Sequence, residues 1–387
     1  MTHVNAPVKI TASGIVSALG QGKRANLDAL LGDATPGPDR LSLSHFEEPV
    51  NVPYHGVVGA PEAAEGRLHW LLDQAMQELL AEHSLTPDQR ADIPVFIGSS
   101  CWGIGIAEER YREQYRNNPE TAIPLPLDGF GQISRHLQRQ YGFHGADFAL
   151  NTACTATANA ILNAAAAINM GMHDHALVVG LEARNDTTLA GFHGMQLLAE
   201  EGMRPFDRRR DGLVLGEGCG AMLLSRSRSD ASGTMFWGGA SNCDTYSISA
   251  SNPDGSTIAA VMDAAMARSG ITPSDIRAIK AHGTATPLND DGEAAGMRRS
   301  FEQIPPFFSM KAALGHTLGS CGVLETLLMA ALLPEGKLPA SIGFEEPDPE
   351  LGVTPMREPL SVEAGYYLLN FFGFGGNNSS LILRYQD

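Results

Sequence analysis

The chain has 387 residues, 43% of them hydrophobic, enough for two or three sub-domains around substantial cores. Its formal charge of -17 argues against sequence-independent binding of a nucleic-acid backbone, which it would repel. The five cysteines, at 101, 154, 219, 243 and 321, form no CxxC pair and no even framework, which argues against a disulfide scaffold or a zinc site.

The N-terminus, MTHVNAPVKI, lacks a basic-then-apolar leader, and no run approaches the ~20 apolar residues of a membrane span. The expectation is a soluble protein of a reducing compartment, the cytoplasm. Apolar strand-like runs then alternate with helical ones. Strands are expected at Ile93–Gly98, Ala146–Leu150, Ala176–Gly180, Arg277–Ala281 and Ser379–Leu383, with an Ala-rich helix from Thr155 to Met170. Loops rich in Pro or Gly fall near 34–40, 116–131 and 335–358. The pattern is that of an α/β protein.

The sequence also repeats itself. LLDQAMQELLAEHSLTPDQRADIPVFIG (71–98) and VMDAAMARSGITPSDIRAIKAHG (261–283) share an Asp-x-Ala-Met helix start, a Thr-Pro turn with an Asp close behind, and a short apolar strand. Proline just after the threonine suits the first position of a new helical turn. Further on, ADFALNTACTATANAILNAAAAINMG and FFSMKAALGHTLGSCGVLETLLMAALLPEG both read as strand, tight small-residue turn and helix. Two similar halves are expected, 1–232 and 233–387, joined through the polar stretch SRSRSDASGT. Packed about a pseudo-two-fold axis, they would bring Cys154, His282 and His316 to one site.

Each of these residues has a chemical rationale. Cys154 opens a helix, where free N–H groups and the positive end of the dipole favour thiolate and can hold an oxyanion. A free cysteine is more often a small buried core residue, so Cys154 taken alone leaves both readings open. His282 ends a strand in KAHGTATP, flanked by hydroxyls, and is placed to donate to a carbonyl. Lys311 and His316 share SMKAALGHTLGSCG, whose glycines permit close backbone approach. Glu325, on the following helix, is placed to anchor Lys311. Near the C-terminus, FFGFGGNNSS is a glycine-rich turn carrying Phe372 and Phe374 on a hinge. There is no Walker sequence and no Gly-x-Gly-x-x-Gly after a first strand, which argues against nucleotide binding.

Taken in order, TACTATANAI, RPFDRRRDGLVLGEGCG, HGTATP, KAALGHTLGSCG and FGFGGNNSSLIL resemble the β-ketoacyl-[acyl-carrier-protein] synthases of the thiolase superfamily (KAS I/II-like condensing enzymes). The resemblance runs from SGIVSALG at Ser13–Gly20 to the C-terminus. It implies a thiolase-like fold, two pseudo-duplicated halves in a five-layered αβαβα arrangement, and dimerisation. It further implies an acyltransferase for type II fatty-acid, polyketide or aryl-polyene-type biosynthesis, with no cofactor and no metal. The substrates would ride on the phosphopantetheine of an acyl carrier protein. Cys154 would take the acyl chain, and His282 and His316 would promote decarboxylation of the malonyl thioester. The backbone N–H groups of Cys154 and Phe374 would form the oxyanion hole, Thr284 and Thr286 would contact the pantetheine arm, and Phe372 and Phe374 would gate the site. Lys311 and Glu325 match a supporting charged pair, with Asp290 and Glu293 at acidic positions near it.

Some positions depart from the family pattern. Leu213 stands where an aromatic is common, Ser320-Cys321 replace Ala-Ala, and Asn377 replaces Thr. The chain is also shorter than many relatives between 40 and 145. These departures leave open a chain-length-factor-like subunit that pairs with an active synthase, so homodimer and heterodimer both remain. A degradative thiolase is disfavoured, because such enzymes use a late second cysteine where His316 stands here. An acidic carrier would meet a basic rim, for which Arg135, Arg139 and the cluster Arg208–Arg210 are the candidates.

Overall fold

The computed structural model describes residues 7–32, 35–43, 48–120, 129–228 and 231–386. The leader reading at residues 1–6 lies outside these, as do parts of three stretches read as loop or linker: 34, 121–128 and 229–230. One sheet path dominates, built from β1 (Val8–Ser17), β2 (Val95–Gly98), β3 (Asp147–Leu150), β4 (His175–Glu182), β5 (Gly218–Arg226), β6 (Gly233–Cys243), β7 (Ile276–Lys280), β8 (Phe307–Phe308), β9 (Gly365–Phe372) and β10 (Asn377–Gln386). The strand order is β8-β7-β9-β10-β6-β1-β5-β4-β2-β3.

That order reads alike from either end. In each half the first strand pairs antiparallel with the last, which pairs antiparallel with the one before it, and two parallel strands follow. The halves meet where β1 pairs β6, Val8 opposite Phe236 and Lys9 opposite Met235. Helices follow the same duplication. Helices α1 (Ala64–Glu82), α2 (Ile104–Asn117) and α3 (Ala156–Asn169) precede β2, β3 and β4. After the extra helix α4 (Asp186–Gly194) come α5 (Ser256–Arg268), α6 (Pro287–Ser300) and α7 (Cys321–Leu332), which precede β7, β8 and β9.

Helices α3 and α7 pack on each other and on strands of both halves, while α1 covers β1 and β5, and α5 covers β6 and β10. The result is five layers, with α3 and α7 in the middle. Their sequences explain the position. ATANAILNAAAAIN carries no charge, and CGVLETLLMAAL carries only Glu325; α7 is buried almost all round, while α3 exposes one narrow stripe at Asn163 and Ala166. Small residues let the layers close: a Cβ on Gly180 of β4 would overlap Val323 of α7 and Thr157 of α3.

The repeated Thr-Pro turns are N-caps. Thr86 forms a reciprocal capping box with Gln89 over Pro87–Asp92, and Thr272 does the same with Asp275 over Pro273–Asp275, each satisfying two orphan donors. Asp-x-Ala-Met is not a helix start, however. Asp73 and Asp263 lie well inside α1 and α5, because the buried face already begins upstream at Leu68 and Ile258.

Candidate active site

Cys154 sits in the turn between β3 and α3. Ala153 before it is held at φ 51°, a left-handed conformation that costs a non-glycine residue about 1 kcal/mol or more. Hydroxyl contacts hold the turn. Thr155 Oγ1 donates to the Thr152 carbonyl at 2.8 Å, and Asn159 Nδ2 donates to Thr152 Oγ1 at 2.9 Å. The thiol is buried, with Sγ 3.0 Å from His316 Nε2.

His316 is fixed from the first half. Its N–H donates to the Val214 carbonyl at 2.7 Å, and its carbonyl accepts from Gly216 N–H at 3.1 Å. The motif RDGLVLG thus clamps the backbone of this histidine. His282 stands beside it, the two rings edge-to-face at 5.4 Å between centroids. Structure therefore brings the three expected residues together from both halves. Burial first, and then the Lys311 ammonium, hold both imidazoles well below the usual histidine range, so both are neutral. Among the described residues, Nδ1 of each ring is buried with no hydrogen-bond partner.

The expectation of a resting thiolate needs correcting. The helix begins only at Ala156, and burial pushes the Cys154 thiol up to about 11, against the pull of Lys311 and of the Phe374 N–H. Desolvation outweighs the helix end here. The thiol is therefore protonated near neutrality, and the neutral His316 Nε2 is the base within reach.

Lys311 pairs with Glu325, as expected. Burial alone would push this lysine down, but Glu325 reverses the sign and its value is raised. Glu325 itself stays below the usual carboxylate range because two lysines outweigh its burial. The second is Lys280, which sequence reasoning passed over although it lies two residues before His282. Asp290 and Glu293 have partners other than this pair. Glu293 accepts the N–H groups of His282 and Gly283 at 2.8 and 2.9 Å, which fixes the histidine turn. Asp290 accepts the Phe206 N–H at 2.8 Å, and burial pushes it up to about 7.

A cavity of about 290 Å³ opens onto these groups, lined by Cys154, His282, His316, Thr284, Thr286 and Phe374, with Leu213 in its wall. Thr284 and Thr286 face each other at 2.9 Å between hydroxyls. Phe374 stacks on Phe192 of α4, centroids 5.7 Å apart. Phe372 is not on a hinge: it closes β9, is buried, and packs edge-on against His282. Only Phe374 lies in the turn. That turn is strapped to the segment 244–252, which the sequence reading did not single out. Gly375 N–H donates to the Ile248 carbonyl and Asp244 N–H to the Gly376 carbonyl, both at 2.7 Å. Cys321, noted above only as a departure, places its Sγ 3.1 Å from the Cys154 carbonyl.

Two of the proposed surface features resolve differently. Arg208, Arg209 and Arg210 are each engaged by acids, among them Glu346, Glu345, Asp348 and Asp291, so this cluster is not a free basic rim. Arg139 is exposed. Among the described residues no group of His, Cys, Asp and Glu is arranged to hold a metal ion, and no helix is long and apolar enough to cross a membrane.

The chain matches the family models for the beta-ketoacyl synthase N-terminal domain over residues 57–230 and C-terminal domain over residues 235–345. It is 32% identical over 319 residues to a 3-oxoacyl-[acyl-carrier-protein] synthase 2 of Vibrio cholerae, covering 77% of each chain. A protein of the same description from Staphylococcus aureus is 31% identical over 77% of this chain and 76% of its own. Among solved structures, a chain of the ketosynthase–chain length factor complex of Xenorhabdus doucetiae superposes with a TM-score of 0.84 at 28% identity, covering 98% of both chains. A type II polyketide ketosynthase complexed with its acyl-carrier protein gives a TM-score of 0.87 at 21% identity, covering 99% of this chain and 100% of that one, and supports the fold.

Proposed function

The chain belongs to the beta-ketoacyl synthase family, and we propose that Cys154 is the residue on which it carries the acyl chain. The enzyme is a condensing acyltransferase of the 3-oxoacyl-[acyl-carrier-protein] synthase kind, which joins an acyl group to a malonyl unit with loss of carbon dioxide. The observation that carries the assignment is the 3.0 Å approach of Cys154 Sγ to His316 Nε2 in a cavity that His282 also lines.

In the first half-reaction the Cys154 sulfur attacks the acyl thioester carbonyl. His316 Nε2 takes the thiol proton and returns it to the departing carrier thiolate. The oxyanion faces the N–H groups of Cys154 and Phe374, which meet because Gly373 abuts the Cys154 backbone. In the second, the malonyl thioester enters along Thr284 and Thr286. Its carbonyl accepts from His282 Nε2–H, and from His316 in the tautomer that carries its proton on Nε2; these donors stabilise the enolate formed as the carboxylate leaves as carbon dioxide. The enolate carbon attacks the Cys154 thioester, the C–S bond breaks, and the thiolate takes up one proton from solvent, the proton that decarboxylative condensation consumes overall. No cofactor enters, and the substrates arrive on the phosphopantetheine arm of a carrier protein. We place the enzyme in the cytoplasm.

Mass spectrometry after incubation with a panel of acyl-carrier proteins tests the assignment. We expect an acyl adduct on Cys154 in the parent, and in Cys154→Ala the loss of that adduct and of condensation. Acylation of another residue, or of none, would overturn it.

A second reading concerns partners. Strand β3 is an edge strand with largely exposed residues, and Tyr111, Tyr115, Phe130 and Phe148 stand exposed nearby. This face suits a second ketosynthase-like subunit, either a copy of this chain or a chain-length-factor-like partner such as the Xenorhabdus complex contains. Full condensing activity of the purified chain as a homodimer would reject the obligate heterodimer. Of the candidate rim, Arg139 is the exposed member and the one to test. Arg139→Glu is expected to raise the carrier KM while leaving Cys154 alkylation unchanged.

A further inference from the structure

The chain has only five lysines, and two of them are fully buried on one carboxylate. Lys280 Nζ lies 2.5 Å from Glu325 Oε2, while Lys311 Nζ holds Glu325 Oε1. Lys280 also donates to the Asn370 carbonyl at 2.7 Å and stands 3.7 Å over the Phe371 ring. Three acceptors, two oxygens and a π face, match the three N–H donors of an ammonium. A neutral amine would leave one of them unserved. Such an arrangement is costly, because two buried cations share one anion. The bland alternative, an apolar side chain in the core at position 280, would have left Glu325 and Lys311 as a simple neutral pair.

The groups facing Lys280 come from every element around it. Glu325 and Cys321 belong to α7, Lys311 to the turn before it, Glu293 to α6, and His282 lies two residues past the end of Lys280's own strand. His316 also feels it. Burial pulls Lys280 below the usual lysine range against the attraction of Glu325, but its three acceptors favour the ammonium; with both lysines charged and Glu325 ionised, the Lys280–Glu325–Lys311 cluster has one unit of excess positive charge. Lys311 is the group in it that acts on the Cys154 sulfur.

We propose that Lys280 is a positioning residue of the condensing site: by taking one oxygen of Glu325 it leaves Lys311 with uncompensated positive charge directed at Cys154 and His316. That charge offsets part of the burial cost of the Cys154 thiolate and keeps both imidazoles unprotonated. The inference rests on Cys154 being the acyl-carrying nucleophile, but its test does not need the condensation.

The test is the pH dependence of Cys154 alkylation by iodoacetamide, followed by peptide mass spectrometry. In Lys280→Met the midpoint is expected to move up by about one pH unit, so that alkylation at pH 8 slows about tenfold. Lys280→Arg keeps the charge and is expected to stay within about twofold of the parent. A folded Lys280→Met protein with the parental profile would overturn the proposal, since a merely structural role lowers the melting temperature without moving the midpoint. Should Lys280→Met not fold, carbon-13 NMR of the parent labelled at lysine Cε decides. Five resonances are expected, with that of Lys280, assigned through Lys280→Arg, at an ammonium shift from pH 6.5 to 8.5. A neutral amine over that range would overturn it. Loss of carrier-dependent acylation with an intact alkylation profile would instead sink only the functional reading.

Discussion

His316 Nε2 lies 3.0 Å from Cys154 Sγ although the two residues are 162 positions apart in the chain. Each sits in the turn before a central helix, α3 or α7, so the contact joins equivalent points of the two halves. The partnership is between a thiol and a neutral imidazole, not a preformed ion pair, because burial disfavours both charged forms.

That resting state predicts slow reactivity at neutral pH. The Cys154 thiol is pushed up to about 11, and only the thiolate fraction alkylates. At pH 7.5 Cys154 is expected to react at least about tenfold more slowly with iodoacetamide than the exposed Cys243. Its rate should still be rising above pH 9. Equal rates at pH 7.5, measured peptide by peptide, would contradict the burial argument.

Glu325 is the anion on which two buried ammonium groups depend. Glu325→Gln removes the charge and keeps the shape. Leaving buried charges uncompensated typically costs about 3–5 kcal/mol, so a large fall in melting temperature is expected, with loss of condensation. The sign with pH follows from its depressed value. The stabilisation is present above the unfolded carboxylate pKa and is lost as pH falls through the lower folded value. The gap in melting temperature between parent and variant should therefore narrow in acid. A gap constant down to pH 3 would reject this.

Gly376 holds φ 75°, and a Cβ there would overlap the Asp244 carbonyl. Gly376→Ala therefore has to break the Asp244 strap and displace Phe374, whose N–H faces the Cys154 sulfur. Acylation of Cys154 is expected to fall at least about a hundredfold, the scale of a lost oxyanion donor. The helical core should persist by circular dichroism. Parental acylation kinetics would show that the strap does not position the turn.

Much of this architecture was legible from local pattern. The Thr-Pro repeats marked two real N-caps, and the Ala-rich run expected as a helix from Thr155 to Met170 is α3, Ala156–Asn169. The convergence of Cys154, His282 and His316 followed from the duplication, because equivalent turns meet at the pseudo-two-fold axis. What was not legible depended on contacts distant in sequence. Lys280 reads as one residue of an ordinary strand, and only the fold shows that its ammonium reaches Glu325, 45 residues away. Asp290 and Glu293 looked like companions of Lys311 by motif alone, yet backbone N–H groups claim both. The thiolate expectation failed because a helix end is visible in sequence whereas burial is not.

Leu213 lines the cavity where the family pattern has an aromatic, and it is buried with Leu197 and Phe192 around it. Leu213→Phe adds apolar contact for a small extender without touching Cys154. The expected result is a lower KM for malonyl-carrier and an unchanged rate of Cys154 acylation. If acylation falls while KM rises, the ring is obstructing the cavity and Leu213 is required for space.

Glu182 ends β4 and gathers three N–H groups from two loops: Ser100, Cys101 at 3.1 Å and Gly319 at 3.1 Å. It thereby ties the turn after His316 to the wall of the neighbouring apolar chamber that includes Ser100 and Cys101. Burial nevertheless pushes its carboxyl up to about 7. A folded value above the unfolded one means that its stabilising contribution is complete below the unfolded pKa and is lost as pH rises through about 7. Glu182→Gln does not titrate, but it turns an amide donor toward one of the N–H groups and so starts less stable at pH 5. From pH 5 to pH 8 the variant should then gain on the parent by a few kcal/mol, the order set by a shift of this size. Melting curves at unit pH steps read this directly. Two parallel curves would mean that Glu182 is ionised throughout, its three N–H partners having outweighed burial.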